Sequence, residues 1–187
     1  MQPIVAGPSD VSIRIATTAP EVKKVQTLLR EYTEHLYTFI DPLLLQHRAG
    51  ETSETPAAFM PPSGTLLLAT HGEQPLGCAG IRNAGISGEE KISELCRLFV
   101  TPAGRGLSLG WALTQAALAI ARERKDKAVV LYSIEGFMDP AKKIYLRAGF
   151  RPIAPYKKVS MSNVGFLSPR ARMTTRTSLY RKGTRTI

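Results

Sequence analysis

A chain of 187 residues, 43% of them hydrophobic, is long enough for one domain with a real core and too apolar to be disordered throughout. Two cysteines cannot staple such a chain, and no run approaches the roughly 20 apolar residues of a bilayer span. The formal charge of +10 is uneven: residues 1–90 carry a net −4 and residues 91–187 a net +14. A basic half points to an anionic partner without choosing among nucleotide, nucleic acid and membrane surface. Met1–Asp10 lacks a basic end followed by an apolar run, so no secretory signal is expected. A soluble protein of a reducing compartment, the cytoplasm, is the expectation.

Val11, Ile13 and Ile15 alternate with polar residues and predict a short strand. Beyond Pro20, the residues Val22, Val25, Leu28, Leu29, Tyr32 and Leu36 recur at helical spacing. The proline-bearing stretch from Phe39 to Gly64 reads as an irregular crossing segment, with a short helix possible at Leu43–Arg48. Two strands, Thr65–Thr70 and Leu76–Arg82, are joined by a turn over His71–Pro75. After a polar loop at Ala84–Glu90, a third strand runs from Ile92 to Val100 and stops at Thr101-Pro102. The stripe Leu109, Leu113, Ala116, Ile120 predicts a helix of about four turns ending near Arg124. Ala128–Ser133 reads as a strand, Pro140–Arg147 as a short helix ended at Gly149, and Phe150–Ala154 as a strand. The last 31 residues hold eight basic side chains and no acidic one; Met173–Leu179 alternates there as a possible edge strand. Strands with helices between some of them predict one mixed α/β or α+β domain.

Two segments carry chemistry. Arg105-Gly106-Leu107-Ser108-Leu109-Gly110 joins a strand to a helix start and supplies a cation, flexible backbone and unpaired N–H groups. Those are the ingredients of a phosphate cradle. It is neither a P-loop nor a dinucleotide fingerprint, because the required Gly-Lys-Ser/Thr ending and glycine triplet are absent. The second segment, Met138 to Phe150, is a short helix with Ala141, Ile144, Tyr145 and Ala148 on one face. Read from spacing alone, Tyr145 is an ordinary core aromatic. His35, His47 and His71 show no metal-site spacing, so no metal is expected. Tyr132 reads as core, Cys96 as a packing residue, and Lys142, Lys143 and Arg122 as solvated or beside an anionic ligand.

Together these segments make the sequence resemble the Gcn5-related N-acetyltransferase (GNAT) superfamily. The family's Arg/Gln-x-x-Gly-x-Gly/Ala motif matches Arg105 to Gly110, with Ser108 in place of the middle glycine. Its Ala-x-x-Leu/Ile-Tyr-x-x-x-Gly-Phe motif matches Ala141, Ile144, Tyr145, Gly149 and Phe150, with Met138 where some members place an asparagine. The resemblance spans roughly residues 11 to 156. It implies a central mixed, mostly antiparallel sheet flanked by helices and splayed around an acetyl-CoA cleft. One such domain is expected over residues 11–180, with extensions at 1–10 and 181–187.

The resemblance further implies direct acetyl transfer to a primary amine of a small molecule or peptide. Acetyl-CoA would be held by the main chain of Leu98, Phe99 and Val100. Its phosphates would sit on Arg105, Gly106, Leu107, Ser108, Leu109, Gly110 and Trp111, with Ala141 alongside. Tyr145 takes the family's acid position. Glu94, eleven residues before Arg105, matches the spacing of the base in Gcn5-type members, with a salt-bridged carboxylate or a water route as the alternatives. By strand parity Glu94, Cys96, Leu98 and Val100 share one face. Acidic Glu31, Glu34 and Asp41 would draw a cationic amine or merely sit at the surface. Ser108 and the open question of the base leave a non-catalytic acyl-CoA sensor of the same fold as the second reading. The basic tail has no recognition helix or interleaved aromatics, so nucleic acid is not expected, nor is a membrane. A monomer or homodimer fits equally.

Overall fold

The central strand runs of this chain are apolar without alternation, which requires helices on both faces of a sheet. The computed structural model, which describes residues 5–6, 11–38, 59–86, 91–136, 138–158 and 164–169, has that arrangement. Strand β1 (Val5–Ala6) pairs antiparallel with β2 (Val11–Ile15). Helix α1 (Ala19–Tyr37) follows, opened by a capping box. There the Thr18 hydroxyl accepts from the Glu21 amide at 3.4 Å, and the Glu21 carboxylate accepts from the Thr18 amide at 3.1 Å. The Thr18 amide first, with Arg14 and the Thr17 amide, pulls the Glu21 carboxyl down to about 2 over the opposing effect of desolvation.

Strands β3 (Gly64–His71) and β4 (Gln74–Asn83) form the predicted hairpin, and their pairing runs up to a turn at Gly72 and Glu73. Strand β5 (Ile92–Val100) completes the antiparallel run. A 3-10 turn (Pro102–Gly104) leads to helix α2 (Leu109–Glu123). Then come β6 (Ala128–Ile134), α3 (Asp139–Arg147), β7 (Phe150–Pro152) and β8 (Val164–Pro169). The sheet order is β1-β2-β3-β4-β5-β6-β8-β7, and β5 with β6 is the parallel pair. Among the described residues no helix is long and apolar enough to cross a membrane.

β3 shows how both faces are filled. Leu66 and Leu68 pack with Val25 and Leu28 of α1, whereas Leu67 and Ala69 pack with Leu113, Ala116 and Ala117 of α2. β8 was not foreseen, since it lies at the head of the basic tail and carries Gly165 and Pro169. It inserts between β6 and β7, pairing Leu131 with Leu167 and Phe150 with Pro169. The segment 39–58 with its possible helix and the alternation at 173–179 lie outside the described residues.

One expectation is overturned. Cys78 pairs with Phe99 and Gly80 with Cys96, so Ala79 faces two residues of β5 where one would fit. This is a β-bulge, and within it Arg97 takes the left-handed φ of 57°. Past the bulge the parity flips. Cys96 and Phe99 pack on the α1 side, while Leu98 and Val100 join Leu95 on the α2 side. Glu94 and Cys96 therefore do not share a face with Leu98 and Val100.

β4 and β5 approach so closely that a Cβ on Gly77 would lie 2.8 Å from the carbonyl oxygen of Phe99. Main chain cannot give way as a side-chain tip can. Gly77→Ala is expected to lower unfolding stability by about 1–3 kcal/mol in urea melts at unchanged m-value. Wild-type stability in that variant would show that the hairpin has slack.

Candidate active site

Parallel pairing between β5 and β6 covers Ile92, Ser93 and Glu94 against Ala128, Val129 and Val130, and then stops. From Leu131 onward β6 is held by β8 on its other edge, while β5 stays paired with β4. The two strands part, and a cleft of about 690 Å³ opens between them. It is lined from β5 by Leu95–Val100, from α2 and its leading loop by Gly104–Gly106 and Ser108–Trp111, and from α3 by Pro140, Ala141, Ile144, Tyr145 and Arg147. α1 contributes Tyr32, His35 and Leu36, so the cleft reaches both sides of the sheet.

The α2 end is built for an anion. Gly104 is buried where a Cβ would stand 2.8 Å from the Leu76 carbonyl oxygen, which seats the loop against β4. Gly106 has φ 83°, a conformation glycine adopts freely. Ser108 occupies the N-cap position at φ 56°, and its side chain makes no capping bond. The amide of Ala112 bonds to the Ser108 carbonyl at 3.1 Å. Helix geometry leaves the amides of Leu109, Gly110 and Trp111 without intrahelical acceptors. Gly110 allows close packing of α3, since its Cβ would meet Ile144 Cδ1 at 2.7 Å. Arg105 lines the same end, and the Arg147 guanidinium lies over the Trp111 ring at 4.5 Å.

On the α3 wall of the cleft, Tyr145 is 7% exposed and packs against Phe150 with ring centroids 5.7 Å apart. Burial, with smaller contributions from Tyr32 and Cys96, pushes its hydroxyl pKa up, so the phenol stays protonated at neutral pH.

Glu94 sits at the fork and is 1% exposed. Its Oε1 accepts from the Tyr156 hydroxyl at 2.7 Å and from Lys157 Nζ at 2.5 Å. Its Oε2 accepts from Arg82 Nε and pairs with the same guanidinium through NH2, both at 3.0 Å. Burial, the largest single influence, pushes the carboxyl up; Lys157, Tyr156 and Arg82 together outweigh it and leave the pKa below the ordinary value. Lys157 Nζ also lies 4.4 Å from the centre of the Tyr132 ring, and Tyr156 packs edge-on against Phe166 at 5.2 Å.

The model of the acetyltransferase (GNAT) family matches residues 23–150 of this chain. The chain belongs to that family. An uncharacterised N-acetyltransferase of Schizosaccharomyces pombe is 28% identical over 162 residues, covering 86% of this chain and 94% of that protein. An acetyltransferase from Streptococcus agalactiae shares the fold at a TM-score of 0.66 and 17% identity, over 87% of this chain and 99% of that one. An N-acetyltransferase from Thermoplasma acidophilum, solved in complex with coenzyme A, does so at 0.64 and 13%, over 86% and 99%. The protein is thus an acyltransferase with the splayed, mostly antiparallel sheet of its family.

In this acetyltransferase the cleft brings together Leu98, Phe99, Val100, Arg105, Gly106, Ser108, Leu109, Gly110, Trp111, Ala141 and Tyr145. Leu107 instead packs against the α2-side core, and Glu94 is not among the lining residues. Tyr132, expected in the core, is half-buried and lines the cleft, as does Cys96. Lys142 pairs with Glu135 at 2.9 Å, away from the cleft. Glu31 and Glu34 do not line it, and Asp41 lies outside the described residues. Tyr156 and Lys157 went unrecognised, because only the fold carries them back to Glu94, 62 residues away in the Tyr156 bond. Among the described residues no group of three or more His, Cys, Asp or Glu could hold a metal ion.

The depressed pKa of Glu94 has a definite sign in stability. A carboxylate whose folded pKa lies below its unfolded value, about 4.3, contributes stability above that value and loses it as pH falls through the folded pKa. Glu94→Gln is expected to cost about 1–3 kcal/mol at pH 7, because it leaves the half-buried Arg82 and Lys157 without their counter-charge. In urea melts the gap to wild type should narrow as pH drops below about 4.3. A pH-independent gap would show that the loss is one of packing.

Proposed function

We propose that the protein moves an acetyl group from acetyl-CoA directly to a primary amine of a small molecule or peptide. The observation that carries this reading is the parting of β5 from β6, which leaves three things on one cleft: a free strand edge, an uncapped helix N-terminus with Arg105, and Tyr145. The residues present suit acetyl-CoA. The main chain of Leu98–Val100 has no β6 partner and offers hydrogen bonds to the amides of pantetheine. The amides of Leu109, Gly110 and Trp111, the helix dipole and Arg105 suit the phosphates.

Acetyl-CoA supplies an acetyl group already activated as a thioester. The chain must then manage two protons. An amine with a pKa near 10.4 is mostly protonated at neutral pH and must lose that proton before it attacks. The departing sulfur, comparable to a thiol of pKa about 8.5, must be stabilised and reprotonated. Tyr145 serves the second task. Burial keeps its proton in place, and its hydroxyl donates toward the sulfur as negative charge builds there. Full transfer from phenol to thiolate is uphill at these pKa values, so the hydrogen bond is its larger contribution. For the first task Glu94 is poorly suited, since both its oxygens are engaged and its pKa is pushed away from neutrality. We assign Glu94 to positioning and the amine proton to water in the open cleft.

A test of binding comes first. Acetyl-CoA at 100 times its dissociation constant should raise unfolding stability by about 2.7 kcal/mol. Given a competent amine, Tyr145→Phe should lower kcat by about 10²–10⁴-fold with acetyl-CoA affinity unchanged, read by release of the CoA thiol. Full activity in Tyr145→Phe would remove the tyrosine from the mechanism.

Ser108 gives a second test. A left-handed L-residue costs roughly 1–2 kcal/mol, partly offset in a Ser108→Gly variant by the greater freedom of an unfolded glycine. Ser108→Gly should leave stability at or slightly above wild type and tighten acetyl-CoA, while Ser108→Val should weaken both, measured by thermal shift and titration. Looser binding in the glycine variant would show that the serine hydroxyl itself holds the ligand.

A further inference from the structure

On the α1 side the cleft is walled by the rings of Tyr32, Phe99 and Tyr132 and by the apolar side chains of Leu36, Ile134 and Met138. Tyr32 and Phe99 pack together with ring centroids 5.8 Å apart, and Leu36, Ile134, Tyr32 and Met138 form one cluster. By strand parity Tyr132 shares a face of β6 with Ile134, so its ring joins the same wall. His35 and Arg97 also line the cleft, and both are engaged with the protein. Tyr132 is held from behind. Lys157 Nζ lies over its ring, 4.4 Å from the centroid, and Phe166 packs against it at 6.2 Å. Lys157 is not among the residues lining the cleft. Its ammonium is fixed 2.5 Å from Glu94 Oε1, and that buried carboxylate is held in turn by Arg82 of β4 and the Tyr156 hydroxyl. A chain of direct contacts thus runs from β4 through Glu94 and Lys157 to the wall of the cleft.

With phosphates at the α2 end, this is the side of the cleft left to an acceptor. An aromatic ring attracts a cation to its face. At Tyr132 an ammonium of the chain already fills that role, so a second cation at the ring gains little and meets like charge. Apolar surface laid on the ring gains from burial regardless. We propose that Tyr132 is a specificity residue for the acceptor and Lys157 the residue that positions it, so that the substrate class is a primary amine carried on an apolar or aromatic body. This deepens the acetyl-transfer reading above and rests on it. It also gives the Glu94 cluster a task in the reaction: Glu94 fixes Lys157, and Lys157 fixes the ring that an acceptor meets.

The test uses the full chain with acetyl-CoA and follows thiol release with four primary amines: phenethylamine, hexylamine, ethanolamine and spermidine. The expected kcat/KM is about 10- to 100-fold higher for phenethylamine and hexylamine than for ethanolamine, with spermidine no better than ethanolamine. Lys157→Met should raise KM for phenethylamine about 3- to 30-fold, with kcat and stabilisation by acetyl-CoA near wild type. Lys157→Arg keeps a cation that pairs with a carboxylate and lies over a ring, and should recover most of that affinity. Tyr132→Leu leaves the Glu94–Lys157 pair in place and should lower the preference for phenethylamine over hexylamine by a similar factor. If Lys157→Met does not fold, Tyr132→Leu decides alone. Turnover of ethanolamine or spermidine as good as that of the apolar amines would overturn the proposal. So would a Lys157→Met loss confined to kcat or equal on all four amines, no recovery of KM in Lys157→Arg, or an unchanged preference in Tyr132→Leu. Stabilisation by acetyl-CoA with no thiol release from any amine would overturn it too, leaving cofactor binding standing. Absence of stabilisation by acetyl-CoA would overturn the parent reading instead.

Discussion

Everything in the site depends on two strands ceasing to pair. A parallel pair that continued past Glu94 would fill the middle of the sheet with main-chain hydrogen bonds and leave no cleft. Two features prevent it. β6 is drawn to β8 from Leu131 onward, and β5 carries an extra residue at Arg97 that turns its outer half. At the point of parting stands Glu94, buried and tied to Arg82 on β4 and to Tyr156 and Lys157 beyond β7. A carboxylate at such depth is tolerable only with its partners in place. It therefore links the two arms of the fork with a bond that either forms complete or costs dearly. The residue that spacing marked as a base is, in the fold, a fastening between β5 and the chain that closes the opposite wall.

The parting produces a cleft with two unlike ends. Toward α2 the chemistry is that of a helix start whose amides are left for a ligand, since Ser108 offers no side-chain cap. Toward α1 the walls are aromatic and apolar, with one arginine at the bulge. Tyr145 lines the cleft from a helix that Gly110 allows to sit close against α2. On the proposed reading, the two ends divide the work: the phosphates lie at the α2 end, and Tyr145 serves the sulfur.

How much of this could be read beforehand follows from the range of each interaction. Helix α1, the hairpin, α2 and α3 are set by residues near one another in sequence, and their spacing foretold them. Of the two motifs, Arg105, Gly106, Ser108, Leu109, Gly110 and Tyr145 line one cleft while Leu107 turns to the core, and strand–loop–helix geometry of this kind is also local. Parity failed at Arg97, since nothing in Leu95-Cys96-Arg97-Leu98 announces a bulge; it exists only relative to β4. β8 was lost because Val164–Pro169 is short and lies at the head of a basic tail, and its strand character comes from the two edges it fills. Tyr132 faces the cleft only because the sheet opens beside it. The partners of Glu94 are likewise a product of topology.

The positive charge of the second half of the chain gains a more local meaning from this arrangement. Net charge alone could not separate a phosphate ligand from a nucleic acid. Within the cleft, three arginines and no described carboxylate set a field of one sign around a reaction whose two proton states both respond to it. A neighbouring cation favours the thiolate over the thiol and the neutral amine over the ammonium, and both preferences run in the direction of acetyl transfer. The same field would also favour a phenolate at Tyr145, which would be counterproductive. There burial prevails and keeps the hydroxyl a donor. On the proposed reading, three acidities are thus separated by depth and distance: a buried phenol that keeps its proton, and a leaving sulfur and an attacking amine whose reactive forms neighbouring cations favour.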